Sequence, residues 1–375
     1  MVVTGSAERG GSRPAAGRAA ALPRHRIGLR PAVTLPVLAV VAVLCVAVAM
    51  AVGSVTIPLP AVLRYLVGAP VGDPGWTVLL DQIRMPRVAT AALAGAGLAA
   101  AGLLMQTLFA NPLADPYVLG VSSGATLGVA VVTLGGGTAA GAAAGTFVDL
   151  GGSGRIGVVV AAAVGSGAVL ALVLLLGRWV RSVVTLLIVG VMLSSAIGAV
   201  TSLLIAFADP TRLQRFVLWG LGSYSGVTKD DLPVLAPLVL LGLLLAAALT
   251  RPLNALLLGE SYAASMGVRV RVVRTVAVLA TAVTAGVVTA YCGPIGFLGI
   301  AVPHLARLVL GSSDHRLLLP ATVATGVIVS SLCAVVAQLP GADGVLPVNV
   351  VTALIGAPVV VAVLLRSRRL AAGAV

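Results

Sequence analysis

The sequence is poor in charge. Only 9% of its 375 residues are Asp, Glu, Lys or Arg, against about a quarter in soluble domains. Acids are the scarcer sign, 11 against 24 Lys and Arg. Cys45, Cys292 and Cys333 stand far apart in apolar runs. No pair has metal-ligand or redox spacing, so they read as small apolar fillers. Lysine occurs once, as Lys229 between Thr228 and Asp230. A P-loop needs a Gly-Lys-Ser/Thr step to hold phosphates; this chain has none. His25, His304 and His315 are scattered and read as structural or solvated. No nucleophile–base pair and no metal cluster can be assembled. Neither a catalytic residue, a metal ligand nor a bound cofactor is expected.

What is abundant is apolar sequence. Hydrophobic residues make up 59%, mean hydropathy is +1.13 and glycine numbers 45. A soluble core of this size could not hide so much apolar surface. A bilayer can, since a spanning helix takes roughly 20 apolar residues. Gly and Ala let such helices pack closely. The net charge of +13 would point to nucleic acid in a soluble protein. Here basic residues sit in short tracts between apolar runs, without interleaved aromatics, which is a topology signal instead.

Residues 1–34 are rich in Arg, Gly, Ala and Pro and read as a disordered cytoplasmic tail. Apolar runs follow near 35–55, 88–109, 117–134, 156–177, 183–207, 232–249, 275–292, 295–310, 317–339 and 345–365. That makes ten spans in a permease-like domain, 35–366, with a tail at 367–375. The first run is longer than a signal-peptide core and more spans follow, so an uncleaved span is expected. The run at 295–310 is short, follows Gly293-Pro294, and reads as tilted or partly re-entrant. Residues 57–67 read as a short interfacial helix and 135–155 as a Gly-rich loop. With the N-terminus inside, seventeen of the 24 cations fall on inner segments and seven on outer ones. The asymmetry favours an even span count and two cytoplasmic termini. A faint repeat relates 88–120 to 277–311: a Gly/Ala-rich span, a Pro-containing break, then a Leu-Gly ending. It is compatible with the inverted halves of many transporters.

All 11 acids are placed by this reading in tails, loops or span ends. An ion-coupled carrier generally needs an ionisable group inside the membrane, so the census counts against one. If ATP drives transport, a separate subunit must bind it. The longest inner loop, 251–274, reads as two short helices broken at Gly259. Glu260 suits the start of the second and Gly267 its C-terminal cap. Such a projecting helix can dock in a groove of a soluble partner, or be a plain interfacial connector.

This loop resembles the coupling loop of the iron–siderophore/cobalamin (FecCD-type) permeases of ABC importers. Three further stretches match the same family in order. The first is Arg84-Met85-Pro86-Arg87 with Asn111-Pro112-Leu113-Ala114-Asp115-Pro116 and Leu119-Gly120-Val121-Ser122-Ser123-Gly124. The second is Gly293-Pro294-Ile295-Gly296-Phe297-Leu298-Gly299 with Pro303-His304-Leu305-Ala306-Arg307. The third is Leu346-Pro347 with Val351-Thr352-Ala353-Leu354-Ile355-Gly356-Ala357-Pro358.

The resemblance implies an all-α integral membrane fold of about ten spans, of the type II importer architecture, in a bacterial cytoplasmic membrane. It implies a second permease subunit, commonly an identical one, two ATPase subunits carrying ATP and Mg, and an external substrate-binding lipoprotein. The cargo would be an iron–siderophore or a similar metal chelate such as haem or cobalamin. ATPase coupling would fall to Leu258, Gly259, Glu260, Ala263 and Gly267. Arg84 and Arg87 would dock the binding protein; interfacial snorkelling is the plainer alternative. Gly190, Ser194, Gly198 and Ser202, with Asn349, Thr352 and Gly356, would line the path, or else serve helix packing. Ala334, Gln338 and Val345 stand where the family often carries Asp, Arg and Glu, which puts a third docking contact in doubt. An ion-coupled carrier and a non-transporting membrane scaffold are the competing readings.

Overall fold

The computed structural model describes residues 31–53, 55–135, 155–177, 179, 183–338 and 345–372. Among these residues every regular element is helical. That is the physical default for long apolar runs in lipid, where backbone groups must bond within their own segment. The apolar helices are α1 (Pro31–Ala51), α4 (Met85–Leu108), α5 (Val121–Leu134), α6 (Arg155–Leu176), α7 (Val183–Ala206), α9 (Leu232–Ala248), α12 (Val270–Cys292), α13 (Leu298–Leu310), α14 (His315–Val336) and α15 (Val348–Ala372). Seven are long and apolar enough to cross a bilayer, and three are shorter: α5, α13 and the 348–362 part of α15. The chain is a multi-pass membrane protein, and its described residues hold ten apolar helices at the runs its sequence announces.

Short helices cap the ends: α2 (Leu59–Leu66), α3 (Pro74–Leu79), α8 (Pro210–Gly220), α10 (Thr250–Leu256) and α11 (Glu260–Ser265). A π turn over Leu80–Arg84 joins α3 to α4. Helix α8 was not anticipated, although Asp209-Pro210 is a start signal. The Asp209 carboxylate accepts from Thr211 N at 2.9 Å and Arg212 N at 3.4 Å.

Three boundaries differ from expectation. Helix α1 starts at Pro31 and α15 runs to Ala372, so parts of both expected tails are helical. Helix α12 starts at Val270 rather than near 275. Arg271 and Arg274 had assigned that turn to the loop, but long basic side chains tolerate a helix end at the interface. The rest of the N-terminal tail and most of the Gly-rich 135–155 stretch lie outside the described residues.

Helix α4 is the central post. It packs against α9, α12, α13 and α14, and its span is 83% buried. Glycines permit this: a Cβ on Gly95 would lie 2.2 Å from Gly326 O, and one on Gly102 1.9 Å from Gly299 O. Helices α5, α6 and α7 form a second group that meets the first through α12. In contrast, only 17% of the α7 span is buried.

Candidate functional site

Helices α10 and α11 build the inner loop. Gly259 separates them at φ +104, a conformation that strains any L side chain. The helix then closes as the sequence predicts. Gly267 at φ +83 donates to Ala264 O, and Val268 N to Ala263 O at 3.1 Å. These two bonds make a Schellman cap. Ala263 is fully buried beneath the loop. Glu260 opens α11 and accepts from Arg274 Nη2 of α12 at 2.9 Å. Leu257, Leu258, Tyr262 and Met266 are all more than half exposed. Four large apolar side chains on one short projecting loop are costly in water and fit a partner's groove.

At the opposite end, Arg84 is buried, with 2% of its surface exposed. Its Nη1 donates to Met50 O and Ala51 O, both at 2.7 Å, and Nη2 to Val55 O. These include the last carbonyls of α1, which lack intrahelical partners, and a cation at that end complements the helix dipole. Arg84 thus clamps α1 to α4 rather than standing free at the surface. Arg84→Met is expected to cost about 2–4 kcal/mol, read as a lower melting temperature in detergent.

Arg87 differs. It is 8% exposed, and its Nε is buried with no hydrogen-bond partner. Nearby, Lys229 Nζ contacts both Asp81 oxygens at 2.8 Å, and the Tyr65 hydroxyl donates to Asp81 Oδ1 at 3.0 Å. This clasp, which the sequence did not reveal, ties the π turn to the segment before α9. Ala334 lies 4% exposed in an apolar cluster with Ala91, Ala94 and Tyr224. A lone charge there would have no counterion, which fits the joint absence of the family's Asp and Arg. A Cβ on Gly53 would touch both Arg84 Nη2 and Gln338 Oε1, so the Gln338 amide borders the clamp. Val345 is exposed.

The seven small and weakly polar residues divide. A Cβ on Gly190 would lie 2.6 Å from Val118 O, and Ser194 donates to Gly190 O at 2.9 Å. Asn349 Oδ1 accepts from Gly296 N at 3.0 Å. Thr352 is buried and donates to Asn349 O, and a Cβ on Gly356 would meet Phe297. These five pack within the subunit. Only Gly198, with nothing within 4 Å, and Ser202 face open space. Positions four apart turn by about 40°, so a stripe twelve residues long leaves the face on which it begins.

The two Pro-containing breaks meet. The Tyr117 hydroxyl accepts from Ile295 N at 3.4 Å and lies 3.3 Å from Thr289 Oγ1. Gln106 Nε2 donates to Ile300 O at 3.1 Å, and Arg307 Nη1 to Gln106 Oε1 at 2.7 Å. The breaks before α5 and α13 therefore lie alongside α4, and backbone groups freed there are met by protein side chains.

Asp115 lies, as read from the sequence, in the loop between α4 and the short helix Pro116–Leu119, but that loop folds back along α4. A Cβ on Gly299 would press on Pro116 and approach Leu98 O at 3.3 Å. Leu98 lies ten residues, about 15 Å, from the inner end of α4. Asp115, next to Pro116, is thus close to the level of the middle of α4. It caps the short helix Pro116–Leu119 by accepting from Tyr117 N at 2.8 Å. The linear sequence shows a loop but not that the loop folds back inward.

Kinship is extensive. The FecCD transport family matches residues 40–366. The ABC transporter permease protein YvrB of Bacillus subtilis, itself uncharacterized, is 39% identical over 327 residues, covering 84% of this chain and 89% of its own. The vitamin B12 import system permease protein BtuC of Citrobacter koseri is 38% identical over 292 residues, covering 77% and 83%. A solved ABC transporter, assigned to the metal-chelate type and captured facing inward, superposes with a TM-score of 0.74 at 29% identity. That match covers 86% of this chain and 96% of the other.

Proposed function

Because the chain belongs to the FecCD transport family and is an ABC-transporter permease of the import type, we propose that it forms the translocation path for a metal chelate. The cargo class is a large metallo-organic nutrient: a corrinoid, an iron–siderophore or haem. The vitamin B12 relatives and the metal-chelate neighbour support the class without choosing within it. Two permease subunits, two ATPase subunits and an external binding protein complete the assembly, in a bacterial cytoplasmic membrane. ATP and Mg are held by the ATPase.

The observation that carries this reading is the inner loop. Leu257, Leu258, Tyr262 and Met266 project from it with more than half their surface exposed, and Glu260–Arg274 fastens it to α12. The poorly covered face of α7, with Val184, Ile188, Met192 and Leu203 exposed, is the surface offered to a second copy and to lipid. Path lining narrows to Gly198 and Ser202. Uptake of labelled cobalamin and ferric siderophores by membranes carrying the full transporter tests the cargo. Uptake of none of these, nor of labelled haem, with ATPase and binding protein present, overturns the class.

Binding-protein docking narrows too. Arg84 is committed to α1, whereas the buried Arg87 Nε lacks a partner. A guanidinium held this way can donate bidentately to a carboxylate at little added entropy cost. Arg87→Glu is expected to weaken binding-protein affinity at least about tenfold at low salt, with a smaller effect at high salt. Unchanged affinity would remove Arg87 from the interface.

A further inference from the structure

The inner loop has a second anchor besides Glu260. Asn254 lies in α10, three residues before the exposed Leu257. Its Nδ2 donates to Asp314 Oδ1 at 2.6 Å. Its Oδ1 accepts from His315 N at 2.8 Å and faces His315 Nδ1 at 2.8 Å. Asp314 in turn caps α14 by accepting from Arg316 N at 2.9 Å. That bond first, and the Asn254 amide second, hold the Asp314 carboxyl below the usual range. His315 is 1% exposed and its Nε2 lies 2.8 Å from Thr107 Oγ1, in the last turns of α4.

An amide oxygen only accepts, so His315 Nδ1 carries the proton. A neutral ring then accepts at Nε2 from the Thr107 hydroxyl, whose oxygen also lies 2.9 Å from Leu103 O. The result is one directed chain: Thr107 to His315, His315 to Asn254, Asn254 to the Asp314 carboxylate. Chains that end on a charge polarise along their length. This one joins α4, α14 and α10, and it is fully connected.

We infer that Asn254 is a positioning residue that passes displacement of the inner loop to α14 and, through His315, to the central helix α4. The inference rests on the proposed coupling role of the loop. Glu260–Arg274 ties α11 to α12, so a push on the loop reaches two helices, both packed on α4. Leu253 also packs α10 into the apolar cluster that holds Leu318 and Leu319 of α14, and Asn254 adds a directional polar link to that contact.

The test uses the assembled transporter with its ATPase and binding protein, and reads substrate transported per ATP hydrolysed. Asn254→Ala is expected to lower that ratio about fivefold or more at unchanged ATPase affinity. His315→Ala is expected to do the same, and the double variant to be no worse than either single one. Asn254→Asp keeps the acceptor for His315 but sets a carboxylate against Asp314; it too should uncouple, and it covers the case in which Asn254→Ala fails to assemble. An unchanged ratio in either assembled Asn254 variant, or additive losses in the double variant, would overturn the inference. Leu258→Asp separates the two ideas. If it uncouples and Asn254→Ala does not, only the joint fails; if it leaves coupling intact, the loop reading fails.

Discussion

Leu258→Asp is expected to weaken ATPase association at least about thirtyfold, the loss that accompanies a hot-spot residue. ATP-driven uptake should be lost with it. Leu258 is 65% exposed in the single subunit, so the substitution leaves folding nearly untouched. Its cost falls on the complex, where a carboxylate would enter an apolar groove without a counterion. The neighbouring Gly259 allows the same surface to be attacked without adding charge. At φ +104 a valine would strain the break by roughly 1–3 kcal/mol and swing α11 off its axis. Copurification of the ATPase, followed across both variants and across Arg251→Ala as an exposed inner-face control, separates docking from expression. Normal copurification and uptake with Leu258→Asp would mean that the loop is only a connector.

Gly102→Val is expected to abolish the folded permease or cost roughly 3 kcal/mol or more. The space is missing: a Cβ would lie 1.9 Å from Gly299 O and 2.5 Å from its carbonyl carbon. Both are backbone atoms of α13, so no rotamer change relieves the clash. Helices α4 and α13 would have to separate, stretching the Gln106 bonds to Gly299 O and Ile300 O one turn further in. The matched variant is Gly198→Val. Nothing lies within 4 Å of that position in the subunit, so the protein should fold with its normal melting temperature while uptake falls as the path narrows. Normal thermal stability of Gly102→Val would show that the crossing is looser than drawn. Normal uptake by Gly198→Val would take α7 out of the path.

Much of this was legible along the chain. Ten apolar runs became ten apolar helices because in lipid a backbone has no better option than to bond within its own segment. The inner loop was equally readable. Gly259 and Gly267 mark a break and a cap because few other residues take positive φ cheaply, and both sit where the sequence placed them.

What the sequence could not carry was depth and direction. Asp115 lies in a linear stretch between two spans, yet the fold turns that stretch back along α4 and sets Pro116 against Gly299. Arg84 and Arg87 share one motif, but the helical turn between them sends the first guanidinium to the end of α1 and leaves the second Nε unpartnered. Asn254, Asp314 and His315 are about 60 residues apart at their widest, and Thr107 is 208 from His315. No local pattern joins them. Helix formation answers to neighbours within four residues and to the surrounding lipid, so composition alone determined the spans. Which side chains meet across α4, α10 and α14 is set by how whole helices cross, and only the tertiary structure decided that.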